Sequence, residues 1–195
     1  MKKFFTTYFK NLNSTISKLD YKLLEEIVFE INLVKRNKSR IFFIGVGGSA
    51  GNASHAVNDF RKICNIECYA PTDNVSELTA RINDEGWKSS LSDWLKVSKL
   101  NNKDMLIIFS VGGGNSKKKV SMNIVETIKY AKSIGAKIIS IVGKKDGFAY
   151  KNSDKSLLVN VKNKKYVTPF SESMQSVIWH YLVSHPNLQE NSTKW

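Results

Sequence analysis

Residues 41 to 51 read Ile41-Phe42-Phe43-Ile44-Gly45-Val46-Gly47-Gly48-Ser49-Ala50-Gly51. Four consecutive apolar residues that end at a glycine are typical of a strand buried on both faces of a parallel sheet. The glycines after them predict a tight turn, and the apolar residues at helical spacing beyond Ser49 predict a helix that ends near Ile63. A strand, a glycine-rich turn and a helix in this order indicate an α/β fold.

The rest of the chain repeats this alternation of strands and helices. Further strands are predicted at 66–70, 105–109, 138–142 and 157–161. Helices are predicted at 49–63, in pieces over 75–97, at 120–131, and from Thr168-Pro169 to shortly before Pro186. Such alternation predicts a doubly wound parallel sheet with helices on both faces. We expect five strands in the flavodoxin-like order 2-1-3-4-5.

The first 36 residues carry apolar side chains at spacings of three and four, which predicts two amphipathic helices that serve packing or oligomerisation. We therefore expect one domain over residues 1–195. It comprises an N-terminal helical pair (1–36), an α/β core (37–185) and a C-terminal tail (186–195). A chain of 195 residues with 42% apolar residues suits a single core.

Charge and composition narrow the class of protein. The formal net charge is +13, but the lysines are scattered and the densest run is residues 117–119. This pattern indicates a solvated surface that favours anionic substrates, and nucleic acid is not expected as the main partner. No stretch approaches the roughly 20 apolar residues of a membrane span, so we expect a cytoplasmic protein without a membrane partner. Cys64 and Cys68 are interpreted as reduced core thiols.

Two glycine-serine loops follow predicted strands. Loop one spans residues 45–51 and loop two spans Ser110-Val111-Gly112-Gly113-Gly114-Asn115-Ser116. Glycines let the backbone approach a ligand, and free amides at a helix N-terminus bind anions. In the order 2-1-3-4-5 the two loops flank the switch point, so we expect them to converge on one phosphoryl group. A dinucleotide fingerprint fits loop one less well, because its spacing is off by one residue and no clear acidic residue closes strand two.

Two helices each carry a carboxylate and an imidazole. His55 and Asp59 lie four residues apart and share a helix face, and Glu172 and His180 lie about 80° apart around the final helix. Such a set can bind a divalent metal or divide into acid and base, although surface pairs of this kind are common. The segment Asn83-Asp84-Glu85-Gly86-Trp87 is interpreted as a turn that is either ordinary or able to reach the same crevice.

These motifs together resemble the sugar isomerase (SIS) domain, and their order is most similar to the phosphoheptose isomerases. The resemblance covers about residues 1–185. It rests on loop one with His55, on Asn83-Asp84-Glu-Gly, on loop two, on Gly143-Lys-Lys-Asp-Gly147, and on Thr168-Pro169 with Glu172 and His180.

The resemblance implies an aldose–ketose isomerase that converts sedoheptulose 7-phosphate to D-glycero-D-manno-heptose 7-phosphate through an enediol, for surface polysaccharide. It also implies a homotetramer with sites at subunit interfaces, one Zn²⁺ per site as in some members of the family, and no nucleotide cofactor. By position, the substrate contacts would be Val46, Gly47, Gly48, Ser49, Asn83, Asp84, Ser110, Gly112, Gly113 and Ser116. The metal ligands would be His55, Asp59, Glu172 and His180, of which Asp59, Glu172 and His180 would also be catalytic.

The chain departs from the family pattern at several of these positions. The family usually has asparagine at Val46, glutamate at Asp59 and glutamine at Glu172, and its second loop is richer in serine and one residue shorter. We hypothesise that Glu172 is the enediol-forming base and His180 the acid. The alternatives are a non-catalytic SIS-domain protein that binds a sugar phosphate or assembles with a protein, and an isomerase of another sugar phosphate.

Overall fold

The computed structural model describes residues 2–193, and its five parallel strands form one sheet. The strand order is β2-β1-β3-β4-β5, which confirms the predicted topology. The strands are β1 (Ile41–Ile44), β2 (Cys68–Tyr69), β3 (Met105–Ser110), β4 (Lys137–Val142) and β5 (Lys155–Leu158). The winding reverses between β1 and β3, which pair in parallel over four residues.

Eight α-helices surround the sheet in the described part of the chain. They are α1 (Lys2–Ile16), α2 (Tyr21–Arg36), α3 (Gly48–Cys64), α4 (Val75–Glu85), α5 (Ser90–Val97), α6 (Met122–Ile134), α7 (Phe148–Asn152) and α8 (Val167–Ser184). None of the helices within residues 2–193 combines the length and the apolar character that crossing a bilayer requires.

The strands bury side chains on both faces, because successive residues of a strand point to opposite sides. Phe43 and Ile107 face a core layer built with α2, α3 and α8. Phe42 and Leu106 face a second layer built with α5, α6 and α7. This double burial is the physical reason that β1 and β3 are continuously apolar in sequence.

The predicted N-terminal helical pair is confirmed. Helix α2 buries Leu24, Ile27, Val28 and Ile31 in the first core layer. Helix α1 meets the start of α8 through Tyr8, whose ring lies 5.0 Å from that of Phe170 between centroids. Several other apolar side chains of α1 remain exposed, namely Phe4, Phe5, Phe9 and Ile16.

Two strand boundaries differ from the predictions. Strand β2 is an edge strand that pairs only at Cys68 and Tyr69, so the predicted run 66–70 is too long. Strand β5 begins at Lys155 and ends at Leu158, two to three residues before the predicted 157–161. Its register with β4 places Ser156 opposite Ser140, and the two hydroxyls form a 3.0 Å hydrogen bond. A polar residue is thus satisfied inside the sheet, which the apolar pattern could not reveal.

Two helix boundaries also differ. Helix α8 begins at Val167, one residue before the predicted start at Thr168, and it follows a 3₁₀ turn at Lys164–Tyr166. Pro169 is tolerated as the third helical residue because the first N–H groups of a helix have no intrahelical acceptor. The segment expected to be a turn at Asn83-Asp84 is instead the last turn of α4, which ends at Glu85 and is capped by Gly86 with φ 86°.

The two cysteines are free and buried, as the sequence predicts. Cys64 lies at the end of α3 and Cys68 in β2. Burial raises the pKa of the Cys64 thiol to about 12. Both side chains therefore act as small apolar core residues.

Candidate active site

Loop one connects β1 directly to α3. Gly47 has φ 63°, a conformation that favours glycine, and a methyl group at Gly45 would collide with the Ser49 carbonyl. Helix α3 begins at Gly48, so its N-terminus lies at the carboxyl edge of the sheet, a place where helices commonly bind anions. The Ser49 side chain is buried and Val46 packs on the second core layer, so Gly47 and Gly48 form the exposed part of the loop.

Loop two follows β3, which lies beside β1, so both loops leave the same edge of the sheet. Ser110 is buried and its hydroxyl accepts a 3.0 Å hydrogen bond from the Gly113 amide. Gly113 and Gly114 have positive φ, and their carbonyls accept 2.8 Å hydrogen bonds from the first amides of α7. Ser110 therefore shapes the loop from within, and the exposed serine is Ser116.

A cavity of about 220 Å³ opens between loop two and the segment that leads into α7. We call it the loop-two cavity. Its lining residues are Gly112, Gly114, Asn115, Lys118, Val120, Ser121, Lys144, Asp146 and Gly147. Three glycines and two lysines are among these residues, and lysine ammonium groups suit the oxygens of a phosphate.

The start of α8 contacts both loops. The Glu172 carboxylate lies over Gly48, where an added Cβ atom would stand 2.7 Å from the carboxyl carbon. The neighbouring Ser171 hydroxyl lies against Gly143, whose amide donates to the Val111 carbonyl of loop two at 3.0 Å. Two consecutive residues of α8 thus contact loop one and the residue after β4 that is hydrogen-bonded to loop two. The predicted convergence of both loops on one phosphoryl group stays a prediction.

Helices α3 and α8 pack side by side and hold this arrangement. The Asn52 side-chain amide donates to the Glu172 carbonyl at 2.9 Å and to the Gln175 side-chain oxygen at 3.1 Å. Sequence reasoning missed both residues. Asn52 lies three residues before His55, and Gln175 three residues after Glu172, so helical spacing was the available signal.

One turn further along, three predicted residues come together. The Nε2 atoms of His55 and His180 each lie 3.9 Å from Oδ2 of Asp59. The buried Trp179 ring lies beneath both imidazoles, with centroid distances of 4.6 Å to His55 and 3.4 Å to His180. Asp59 is mostly covered, whereas both imidazoles are more than half exposed, so the group opens to the surface between α3 and α8.

The orientation of His180 is fixed by the helix that carries it. Its Nδ1 atom lies 2.8 Å from the Ser176 carbonyl, which can only accept a hydrogen bond. Nδ1 therefore carries a proton, and in the neutral ring Nε2 keeps its lone pair directed toward Asp59. A nitrogen held in this way is suited to ligate a metal or to take up a proton.

Glu172 does not join this group. It lies eight residues before His180, about 12 Å along the helix axis. Within residues 2–193 its carboxylate forms no hydrogen bond or ion pair. The predicted set of four is thus divided between a carboxylate beside loop one and a His-Asp-His group two turns away.

The His-Asp-His group fits a zinc ion. His55, Asp59 and His180 offer one ligand atom each, and these atoms lie within 4.8 Å of one another. Two imidazole nitrogens and one carboxylate oxygen with an open fourth position are the donor set of catalytic zinc sites. Among the described residues, Glu172 contributes no ligand atom to this candidate zinc site.

Asn83 and Asp84 lie on the last turn of α4, and both are exposed. The Asn83 side-chain amide donates to Asp84 at 2.7 Å. Neither side chain forms a hydrogen bond to loop one or loop two in the part of the chain that the structure describes. Their predicted contact with substrate hydroxyls therefore stays a prediction.

The fold and the site define a doubly wound α/β domain with two glycine-rich loops at its switch point and a His-Asp-His group between α3 and α8. The chain belongs to the SIS domain family, whose model matches residues 5–143.

Particular relatives narrow this comparison. The chain is 26% identical over 187 residues to a phosphoheptose isomerase of Helicobacter pylori, covering 93% of this chain and 91% of that protein. It is 29% identical over 152 residues to the lincomycin biosynthesis protein LmbN of Streptomyces lincolnensis, and spans about half, 54%, of that protein's length. Its fold matches that of the phosphoheptose isomerase GmhA from Neisseria gonorrhoeae with a TM-score of 0.79 and 20% identity, covering 93% of this chain and 97% of that one.

Proposed function

We propose that this protein is an aldose–ketose isomerase that converts sedoheptulose 7-phosphate to D-glycero-D-manno-heptose 7-phosphate through an enediol. One observation carries the proposal: an unpaired carboxylate, Glu172, lies over loop one, and a His-Asp-His group opens on the same pair of helices. The relatives named phosphoheptose isomerase, which match over most of the chain, support the choice of substrate.

The proposed substrate lies across the crevice. Its phosphate occupies the loop-two cavity, where backbone groups, Lys118 and Lys144 provide donors and positive charge. The exposed glycines of loop one, Gly47 and Gly48, allow the sugar chain to approach the backbone near Glu172. In this arrangement the phosphate binds at one loop and the reacting carbons lie at the other.

The isomerisation requires two kinds of proton transfer. Glu172 takes a proton from C1 of the ketose and returns it to C2, while a second group protonates O2 and removes the proton from O1. The hypothesis from the sequence gives the second task to His180, whose Nδ1 is held by the Ser176 carbonyl and whose Nε2 can exchange a proton. Because Glu172 and His180 start two turns apart on α8, this role requires the two side chains to lean toward each other around the substrate. The net result moves two hydrogens and consumes no other reactant.

Glu172 suits the role of base better than Asp59. The Asp59 carboxylate faces two imidazoles and accepts a 2.8 Å hydrogen bond from Asn58. We therefore assign Asp59 to positioning His180 and to holding a metal. When zinc is held by His55, Asp59 and His180, it supplies Lewis-acid polarisation of the substrate oxygens. His180 cannot ligate zinc and donate a proton at once, so dependence of the rate on zinc distinguishes its two roles.

The test is incubation with sedoheptulose 7-phosphate, with and without added zinc, followed by product analysis. We expect turnover by the native chain and a loss of roughly 10²–10⁴-fold in kcat for Glu172→Gln, the range for removal of a general base. Asp59→Asn is the comparison variant, because Asp59 is the other carboxylate that was considered as the base. Full activity of Glu172→Gln would remove it as the base. Absence of turnover with this substrate and with a panel of ketose phosphates would refute the isomerase.

A non-catalytic sugar-phosphate-binding or assembly protein is the second candidate, and Val46 is the observation in its favour. This side chain packs on the apolar layer beneath loop one and offers no polar contact to a sugar. Binding of sedoheptulose 7-phosphate without turnover would support this candidate. Turnover of a shorter ketose phosphate alone would instead assign the chain to an isomerase of another sugar phosphate.

We further propose a cytoplasmic homotetramer with sites at subunit interfaces that supplies heptose for surface polysaccharide. The exposed aromatic side chains of α1, Phe4, Phe5 and Phe9, support self-association, since contiguous apolar surface favours burial against a partner. Light scattering of the purified chain measures the oligomeric state. A monomer at micromolar concentration would contradict the proposal of a tetramer.

A further inference from the structure

A second cavity adjoins the loop-two cavity on the side of α7. We call it the α7 cavity; it measures about 200 Å³. Its lining residues are Asn115, Ser116, Lys117, Asp146, Phe148, Lys151 and Asn152. The two cavities share Asn115 and Asp146, so they are neighbouring compartments of one depression. Each compartment is lined by two lysines.

The backbone that presents these lysines is held in place. Residues 115–120 form a short hairpin in which the Asn115 and Val120 backbones exchange hydrogen bonds of 2.8 and 3.0 Å. The Asn115 side-chain oxygen also accepts a 2.9 Å hydrogen bond from the Lys118 amide. The start of α7 is bound to loop two through Phe148 and Ala149. The lysines are therefore mounted on ordered backbone on both sides of the depression.

The charge in the depression is unbalanced. Asp146 is the only carboxylate that lines either cavity, against Lys117, Lys118, Lys144 and Lys151. None of these four ammonium groups has a carboxylate within 4.0 Å among residues 2–193. Lysines elsewhere on the surface do pair, as Lys129 with Glu126 at 3.1 Å and Lys155 with Glu26 at 2.7 Å. An uncompensated group of cations around a concave surface attracts anions.

We propose that the depression binds a ligand with two adjoining phosphoryl groups, one in each cavity. Two lysines per compartment match one phosphoryl group per compartment, and a shared rim matches groups joined by a bridging oxygen. The inference goes beyond the isomerase and does not depend on turnover. If the sugar phosphate occupies the loop-two cavity, a diphosphate ligand excludes it and acts as a competitive inhibitor.

The test is calorimetric titration of the full chain with inorganic pyrophosphate at low ionic strength, with inorganic phosphate as the ligand that fills one cavity. Lys117→Gln/Lys151→Gln removes both lysines of the α7 cavity. We expect about tenfold weaker pyrophosphate binding, equivalent to about 1.4 kcal/mol, whereas inorganic phosphate should still bind in the loop-two cavity with unchanged affinity. Lys10→Gln/Lys22→Gln makes the same change in net charge on exposed residues of α1 and α2, and should leave both affinities unchanged. Titration with ADP identifies the kind of diphosphate that the depression binds. If the ligand is a nucleotide, ADP should bind more tightly than pyrophosphate. If it is a free diphosphate, pyrophosphate should bind at least as tightly as ADP.

The proposal is overturned if pyrophosphate binds no more tightly than phosphate, or if the α7-cavity variant and the control variant lose affinity equally. Binding of a single-stranded oligonucleotide through the same lysines, without affinity for pyrophosphate, would also overturn it and would make the hairpin a nucleic-acid contact. The isomerase assay is separate, so failure of the proposed function leaves the titration interpretable.

Discussion

The carboxylate of Glu172 lies directly over the Cα atom of Gly48. An added Cβ atom at Gly48 would stand 2.7–2.8 Å from all three atoms of that carboxylate. A Cβ atom does not approach non-bonded carbon or oxygen atoms so closely, so the absence of a side chain at position 48 permits Glu172 to lie at loop one. This relationship joins the first and last helices of the α/β core at the proposed reaction site.

The variant Gly48→Ala tests the importance of this contact. We expect the new methyl group to displace the flexible Glu172 side chain and to lower kcat at least tenfold, with little change in stability because only a side-chain end has to move. Gly51→Ala is the matched control, since a Cβ atom there would meet nothing within 4 Å in the described structure. Equal activity of the two variants in the isomerase assay would show that the position of Glu172 is unimportant.

Replacement of Asp59 by asparagine should abolish zinc binding. The residue is the only carboxylate among the three candidate ligands, and it lies 3.9 Å from both imidazoles. Loss of a group that only supports a metal ligand lowers the affinity roughly 10–100-fold. Asp59 is itself a candidate ligand, so we expect the zinc affinity to fall by more than this. Equilibrium dialysis measures this without activity. Asp73→Asn is the control, because it alters a carboxylate that is hydrogen-bonded to Ser54 outside the candidate zinc site, and it should bind zinc normally. Unchanged zinc binding by Asp59→Asn would exclude the site.

The buried Asp104 should be important for stability. Its carboxylate accepts from the Arg40 guanidinium at 2.7 and 3.2 Å and from Asn101, and this pairing raises the pKa of Arg40. Asp104→Ala leaves a partly buried arginine unpaired, so we expect a loss of about 3 kcal/mol in the free energy of unfolding.

Urea denaturation measures the Asp104→Ala effect against Asp93→Ala. The control breaks a surface pair with Lys96 and should cost less than about 1 kcal/mol. Losses of similar size in the two variants would mean that burial does not strengthen the Arg40–Asp104 pair.

Stability at high pH should depend on Tyr181. Its hydroxyl donates to the Glu25 carboxylate, and this hydrogen bond raises the pKa of Tyr181 to about 12. An unfolded tyrosine has a pKa of about 10, so the stability that this hydrogen bond contributes is complete below about pH 10. It is lost as the pH rises toward about 12, the pKa of Tyr181 in the folded protein. Because Tyr181 is partly exposed, we expect Tyr181→Phe to cost only about 1 kcal/mol at pH 8.

The difference between Tyr181→Phe and the native chain should shrink at pH 11 in the same denaturation experiment. Tyr21→Phe alters a more exposed tyrosine and should change stability at neither pH. A difference that stays constant from pH 8 to pH 11 would contradict the assigned hydrogen bond.

The amino-acid sequence by itself determined the alternation of strands and helices, the N-terminal helical pair and the places of the two loops. Apolar runs such as Ile41–Ile44 report burial on both faces, and glycines report turns, so local pattern is sufficient for these features. Helical spacing likewise placed His55 and Asp59 on one face. The sequence did not determine the bounds of strand β5, because its first residues are polar and the pairing of Ser156 with Ser140 is visible only in the sheet.

Only the tertiary structure decided which of the four predicted metal ligands lie together. The sequence puts Glu172 and His180 on similar sides of α8, but the packing of α8 along α3 brings His180 to Asp59 and Glu172 to Gly48. The spacing along each helix is local, whereas the offset between two helices depends on contacts between residues more than 100 positions apart, such as Asn52 with Gln175. The same reason applies to the lysine-lined depression, which exists because α7 is hydrogen-bonded to loop two, a segment distant from it in sequence.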